Sequence, residues 1–400
     1  MKHLLLVTIF LLDTLLAGWA IPAYPAAAAS SAQAQGQTSP AVLCLPGIYL
    51  YDPGDCKPAG PSTYLNQMAE KGIAFPIAPL PAAMPDPALA EVNVRYGEVT
   101  NRNAPVYGSV EDAIKGNKKS AVQTINGDFV FISYTNEYET SDKRLYEISP
   151  GQWMKAADVS RLGVLPRFQG LTFSRTPPNA FGWVLTYFAP APQVETKRTP
   201  GSQNNDYTGH LLNLNEVVQV YAEERIGEET WYMIGPDEWV LQKYIARVTP
   251  NTTPPAGVTG DRWIEVNLFE QTLAVYDQRQ LVFATVIASG AEPFWTQPGV
   301  FQIYDKKETT PMTGASEADR SDAYYLEDVP WTMYYDGARA LHGAYWRAKM
   351  GFRQSHGCIN LTVGDAHWLF NWAQLNDWVY VWDPSGQTPT DPSLYTSGAY

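Results

Sequence analysis

The chain has 400 residues, a formal net charge of -13 and 45% hydrophobic residues. That length and apolar content suit two or three folded domains. The acidic balance excludes an electrostatic grip on nucleic acid or on anionic membranes.

Residues 1–29 read as an export signal, which places the mature chain in the cell envelope, periplasm or cell wall. Met1-Lys2-His3 is a short basic start, residues 4–16 are apolar apart from Thr8, Asp13 and Thr14, and small residues follow through 26–29. Asp13 leaves cleavage of this signal open, and no unbroken run of about 18 apolar residues predicts a spanning helix. Membrane contact is expected only through this segment where it is retained. Residues 30–90 are a Pro-rich leader. In an oxidising compartment Cys44 and Cys56, which flank a short Pro/Gly loop, are expected to form a disulfide and leave Cys358 as the odd, reduced thiol. Two unrelated free thiols are the alternative. One helix is expected at 64–71, and the proline tract 76–81 cannot continue it.

From residue 92 the pattern turns to short β segments, 92–99, 121–133 and 155–159, with a second such region over 217–248. Leu145-Tyr146-Glu147-Ile148-Ser149-Pro150-Gly151-Gln152-Trp153-Met154 and Trp231-Tyr232-Met233-Ile234-Gly235-Pro236-Asp237-Glu238-Trp239-Val240 repeat Tyr, Ile, Pro and Trp at a constant offset of 86. A recurrence of this kind marks a duplicated unit. Its strand, Pro-led turn and Trp-led strand resemble the last hairpin of bacterial SH3-like domains. The resemblance implies two small SH3-like β-barrel units, 91–160 and 161–248, the second with an insertion. Trp153 and Trp239 then serve either to recognise cell-wall peptide or as core plugs of spacer units.

Residues 249–260 are a polar, Pro-rich linker. Beyond it, alternation predicts three antiparallel strands over 263–268, 271–276 and 281–289. In Thr296-Gln297-Pro298-Gly299-Val300-Phe301 the glycine suits a tight turn and the threonine a local backbone hydrogen bond. Residues 306–330 lose the pattern, and their length predicts a surface insertion over a site. A helix is expected at 365–374, with His367 on its surface, then a closing strand at 379–382 and a tail over 386–400.

Two stretches carry reactive groups: Leu341-His342-Gly343 and Ser355-His356-Gly357-Cys358-Ile359-Asn360-Leu361. Cysteine is a good nucleophile only as a thiolate, so a thiol used in covalent chemistry needs an imidazole or a cation beside it. His356, two positions before Cys358, would leave a strand on the same face and shape the site. His342 lies sixteen positions before Cys358, room for one strand to end and a neighbour to begin, which suits a general base. A buried, inert Cys358 is the bland alternative. Zinc held by His342, His356, Cys358 and His367 is another, and it lacks the paired spacing of structural zinc. No metal and no cofactor is expected.

Together these residues resemble the signature of the L,D-transpeptidase catalytic domain, the YkuD-type family. The run W-I-E-V-N-L-F-E-Q-T-L-A-V-Y resembles that family's opening hairpin, and V-P-W-T-M-Y-Y its acyl-donor groove. The family usually reads Thr-Pro-x-Gly-x-Phe where this chain has its proline one place later. The resemblance implies a mainly β protein whose residues 261–385 form a β-sandwich-like catalytic domain with small helices. It implies a cysteine-dependent acyltransferase that cross-links peptidoglycan stem peptides and is acylated by carbapenem-type inhibitors. Cys358 is then the nucleophile and His342 the base, its tautomer held by the Gly343 carbonyl. Ser355 and His356 support the site, the N–H groups of Gly357 and Cys358 serve the oxyanion, and strand alternation allows only one of Tyr334 and Tyr335 to join them. Asn360 stands where many relatives carry arginine, which weakens the expectation of a cation beside the thiol and of a bound substrate carboxylate. An L,D-carboxypeptidase-type hydrolase and a catalytically silent wall-binding protein stay open as alternatives.

Overall fold

In a computed structural model the described residues are 43–44, 57–58 and 61–395, apart from 76, 164–168, 204 and 315–322. The expected export signal lies outside them, as does Cys56, and no Sγ–Sγ bond supports the disulfide expected between Cys44 and Cys56. The chain divides into two units, 1–63 and 64–400. In the first, Leu43–Cys44 pairs in parallel with Lys57–Pro58. Helix α1, Pro61–Glu70, begins on a proline whose missing N–H costs nothing in a first turn. Among the described residues no helix is long and apolar enough to cross a membrane.

The region after the leader is built twice. Its first copy holds β1 (Arg95–Val99), β2 (Asn103–Tyr107), the short helix α2 (Val110–Lys115), β3 (Ala121–Asn126), β4 (Phe129–Tyr134), β5 (Asn136–Glu139), β6 (Arg144–Ser149), β7 (Gln152–Lys155) and β8 (Val159–Arg161). The second holds β9 (Ala180–Val184), β10 (Val194–Lys197), β11 (Tyr207–Leu212), β12 (Val217–Val220), β13 (Ala222–Ile226), β14 (Glu229–Gly235), β15 (Glu238–Leu241) and β16 (Ile245–Val248). Each copy has a five-stranded sheet, ordered β3-β2-β7-β6-β5 in the first and β11-β10-β15-β14-β13 in the second. Each also sets three strands side by side, β4-β1-β8 and β12-β9-β16.

The offset of 86 is visible in the backbone. Gly151 and Asp237 occupy the same left-handed turn position, φ 72° and 53°, a conformation open to glycine and tolerated by aspartate. Both hairpins run into a 3₁₀ turn, Ala156–Asp158 and Gln242–Tyr244. Trp153 packs within its copy, partly buried against Tyr107, Ala113 and Leu145, whereas Trp239 is buried between its copy and the α1 segment, against Met233, Met68 and Ile73. The expected strand 121–133 is two strands, because Gly127 at φ 138° turns the chain between them. None of these sheets closes into a barrel. The outer edge of β4 is taken by a strand from the C-terminal region instead.

That region contains β17 (Trp263–Asn267), β18 (Thr272–Asp277), β19 (Gln280–Val286), β20 (Gly299–Gln302), β21 (Asp305–Gly314), β22 (Tyr324–Asp336), β23 (Arg339–Gly343), β24 (Ile359–Leu361) and β25 (Trp378–Trp382). The alternation of apolar residues along β17 and β18 sends Ile264, Val266, Leu273 and Val275 into one core. One sheet runs β20-β25-β17-β18-β19 and is extended by the short strands Leu171–Phe173 and Ala82–Ala83. The other runs β8-β1-β4-β22-β23-β24, with β21 folded against β22. Helix α3, Val363–Trp372, packs Ala366 and Leu369 into the shared core. It starts where Thr362 caps it, the hydroxyl accepting from the Asp365 N–H at 3.3 Å. The segment read from sequence as an irregular insertion is therefore a long hairpin, β21 and β22, with its tip, 315–322, outside the described residues.

The first copy and the C-terminal region share a seam. β4 pairs in parallel with β22, Phe129 opposite Tyr324 and Phe131 opposite Leu326. Tyr96 stacks on Tyr345 with centroids 3.5 Å apart. The Ser133 N–H donates to Glu327 Oε2 at 2.8 Å and its hydroxyl to Asp328 Oδ2 at 2.6 Å. Burial pushes the Glu327 carboxyl up to about 7, with Asp328 adding to the rise and the Ser133 N–H opposing it. A carboxyl raised in the folded state stabilises most below its unfolded pKa, and that contribution is lost as pH rises through about 7. The unaltered chain is thus expected to lose melting temperature between about pH 5 and 8, and Glu327→Gln to flatten that fall. Thermal scans across that range check it, and superimposable profiles would refute it.

Candidate active site

β23 and β24 run in parallel, with Leu341 opposite Ile359, His342 opposite Asn360 and Gly343 opposite Leu361. Side chains alternate along a strand. Leu341, Ile359 and Leu361 therefore enter the core, and His342 and Asn360 face the other way. Cys358 stands two residues before Asn360, on that same outward face. All three line one cleft of about 460 Å³, joined by Arg347, Tyr334 and Phe129. The roof is the β21–β22 hairpin, through Pro311, Met312, Thr313, Tyr324 and Leu326.

Cys358 is a free thiol, partly open to the cleft, with Sγ 3.9 Å from the Ala338 carbonyl. Burial pushes its pKa up, opposed by a hydrogen bond from the Ala340 backbone and by the Arg339 and Arg347 guanidinium groups. His342 is buried, 1% exposed. Its Nδ1 lies 3.2 Å from the Gly343 carbonyl. A carbonyl can only accept, so Nδ1 carries the proton and Nε2 keeps its lone pair. Burial lowers the His342 pKa to about 4, with the Gly343 contact opposing and Arg347 assisting, so the ring is neutral at neutral pH.

The turn that presents Cys358 is held from three sides. The Gln354 and Ser355 N–H groups donate to the Ser289 carbonyl at 2.9 and 3.0 Å. Ser355 Oγ donates to the Cys358 carbonyl at 2.5 Å and accepts from the Gly357 N–H at 3.2 Å. Thr296 Oγ1 donates to the Gly357 carbonyl and accepts from the Gly290 N–H, each at 2.8 Å. Gly357 has φ 111°, and a Cβ there would sit 3.0 Å from Arg339 Nε, so no side chain fits.

Residues 261–381 match YkuD, the L,D-transpeptidase catalytic domain. L,D-transpeptidase 1 of Mycobacterium tuberculosis is 27% identical over 174 residues, which are 39% of this chain and 66% of that protein. The putative L,D-transpeptidase YciB of Bacillus subtilis is 25% identical over 125 residues, 27% of this chain and 59% of that one. The chain thus spans less than two thirds of the length of these relatives. Among solved structures, the catalytic domain of the E. faecium L,D-transpeptidase acylated by ertapenem is 28% identical, covering 32% of this chain and all of that one, with a TM-score of 0.29.

Within the YkuD domain, the residues singled out from sequence separate into three places. Cys358, His342, Asn360, Ser355, His356 and Tyr334 line the cleft. His356 is exposed at its rim, its ring 4.6 Å from that of Phe294 and 5.3 Å from that of Tyr324. Tyr335 points the opposite way, into the core against Phe301, and its hydroxyl is buried without a partner. His367 is on α3, stacked on Trp331 at 3.8 Å with Nδ1 3.1 Å from the Leu89 carbonyl, apart from the other histidines. Among the described residues no three His, Cys, Asp or Glu side chains group as metal ligands.

Sequence reasoning missed four contributors. Arg347 and Arg339 bring two cations to the thiol although Asn360 brings none. No spacing rule ties them to Cys358, since Arg347 comes from the loop after β23 and Arg339 from beneath the turn. The tail also takes part: Arg339 donates to the Tyr395 carbonyl at 2.8 Å and lies 5.3 Å from the Tyr395 ring centroid. Thr296, read as a local turn residue, reaches across 61 positions to the Gly357 carbonyl. Thr296→Val strands the buried Gly290 N–H and is expected to cost about 1–3 kcal/mol in urea unfolding. Thr296→Ser is expected to restore most of it. A valine variant as stable as the parent would show that the hydroxyl does not anchor the turn.

Proposed function

We propose that the chain is a peptidoglycan L,D-transpeptidase that joins stem peptides through a thioester on Cys358. The observation that carries this is the register of β23 against β24, which sets a neutral imidazole and a free thiol on one face of one cleft. The match of residues 261–381 to YkuD names the chemistry.

His342 Nε2 takes the proton from Cys358 Sγ as the sulfur attacks the donor peptide's carbonyl carbon. The carbonyl electron pair moves onto oxygen, and backbone N–H groups at Gly357 and Cys358 are the nearest donors to that oxyanion. Gly357's N–H would have to turn from Ser355 Oγ, whereas Tyr334, on the cleft wall, is the tyrosine suited to assist. Collapse expels the C-terminal residue as an amine, which takes the proton from His342. A second stem peptide's amine then attacks the thioester, losing its proton to His342 and returning the thiol. Water in that second step gives the L,D-carboxypeptidase-type outcome.

We read 91–160 and 161–248 as SH3-like modules, supported by their common strand order, and 249–260 as the linker to a catalytic domain reaching to 385. Such an enzyme acts outside the cytoplasm, consistent with the basic and apolar start of the sequence. Carbapenems, strained amides, are expected to acylate Cys358.

Incubating the full chain with disaccharide-free tetrapeptides and following intact mass and peptide products tests the reading. An acyl adduct and cross-linked dimers are expected, both lost in Cys358→Ala. Trimmed peptides without dimers would indicate a hydrolase, and neither adduct nor product a silent wall-binding protein. Since His342 is neutral above about pH 4 and the thiol titrates high, acylation should hold level from about pH 5 to 8. A midpoint inside that window would show a resting thiolate–imidazolium pair instead.

A further inference from the structure

Arg347 enters the cleft beside Cys358 with its charge only partly accommodated. Nη1 donates to Gln354 Oε1 at 2.9 Å and Nη2 to the Gln354 carbonyl at 2.5 Å. Both acceptors are neutral. Nε is buried without a partner, and among the described residues no carboxylate forms an ion pair with this guanidinium. In the same cleft, Asn360 is 1% exposed and its Nδ2 has no partner either. Buried donors are nearly always satisfied, and a buried charge without a counter-charge is expensive.

A neutral carbonyl would satisfy the spare N–H groups and leave the charge uncompensated. A carboxylate does both, and its two oxygens match the planar fork. The sulfur is not a lasting substitute, since burial favours the neutral thiol at rest and the acylated sulfur carries no charge. We propose that Arg347, helped by the Asn360 side-chain amide, binds a carboxylate of the donor peptide beside the scissile bond, so that the cleft selects donors bearing a free acid there. The assignment rests on the transpeptidase reading. Two carboxylates fit the chemistry: the terminal one of the leaving residue, or a side-chain one of the residue that becomes the acyl group.

Three donor peptides separate the two sources: both acids free, the terminal acid amidated, and the side-chain acid amidated. Thioester formation on the full chain is followed by intact mass for each. The unaltered chain should favour the free acid over one of the amides by roughly 10- to 100-fold, and Arg347→Gln should shrink that ratio to within about threefold. The amide that is disfavoured identifies the carboxylate. Arg347→Lys, which keeps the charge and loses the fork, should fall between, and Asn360→Ala should reduce the ratio less than Arg347→Gln. A far-ultraviolet circular-dichroism spectrum and a melting temperature close to the parent's show that each variant is folded. If Arg347→Gln does not fold, an unchanged ratio in both Arg347→Lys and Asn360→Ala overturns the proposal. So does equal slowing of acid and amide peptides, which would place the guanidinium's action on the sulfur or the oxyanion. No thioester from any peptide on the unaltered chain sinks the transpeptidase reading and this assignment together, whereas equal rates from acid and amide sink this assignment alone.

Discussion

The site depends on one parallel strand pair. With Leu341 opposite Ile359, every residue of β23 and β24 is committed to one side: three aliphatic side chains to the core, and His342 and Asn360 to the cleft. A slip of one residue would exchange those faces, placing an imidazole in hydrocarbon and leucines in water. Burial of Leu341, Ile359 and Leu361 thus fixes where the chemistry can happen. Parallel neighbours cannot be joined by a tight turn. The connection from 344 to 358 uses its length to carry Trp346, Arg347, Ser355 and His356 around the same cleft.

The duplicated region is more than a spacer. Its two copies share a strand order, yet only the first lends an edge to the sheet that lines the cleft, through β4 on β22. In the second copy the equivalent strand, β12, pairs with β9 alone. Because β22 is also one arm of the hairpin over the cleft, that arm is held between the first copy and β23. Phe129, at the end of β4, reaches the cleft as a result. In the first copy a strand edge that would close a small barrel is spent on this junction, which gives a physical reason for its open sheet.

Much of residues 261–381 was legible from residues alone. The alternation over 263–289 corresponds to β17, β18 and β19, and the apolar spacing after Thr362 to α3. The sixteen positions from His342 to Cys358 suggested two neighbouring segments, as β23 and β24 are, whereas the period of two was applied to His356 and Cys358 and not to Asn360. What escaped were contacts between distant segments: Arg339 with Tyr395, Thr296 with Gly357, β4 with β22. Each depends on tertiary packing that local patterns do not encode. The barrel expectation failed for the same reason, since a strand's second neighbour is chosen by the whole assembly. The hairpin over the cleft was hidden by polar residues that face solvent on one side, where alternation is weak.

Burial sets the electrostatics in a way that constrains the order of events. Desolvation raises the thiol and lowers the imidazole, so both effects favour the neutral pair over thiolate and imidazolium. Arg339 beneath the turn and Arg347 beside it act in the opposite sense on the sulfur, and Arg347 in the same sense on the ring. A cation near both groups therefore eases loss of the thiol proton and hinders its acceptance by His342. On the acyl-transfer reading, the proton moves most readily when negative charge has somewhere else to go, as it does once sulfur begins bonding to a carbonyl carbon. A donor carboxylate paired with Arg347 would reduce that cation's opposition to imidazolium formation. Donor binding and base strength would then be coupled, with the thiol left unreactive toward small electrophiles in proportion to how well its resting charge is suppressed.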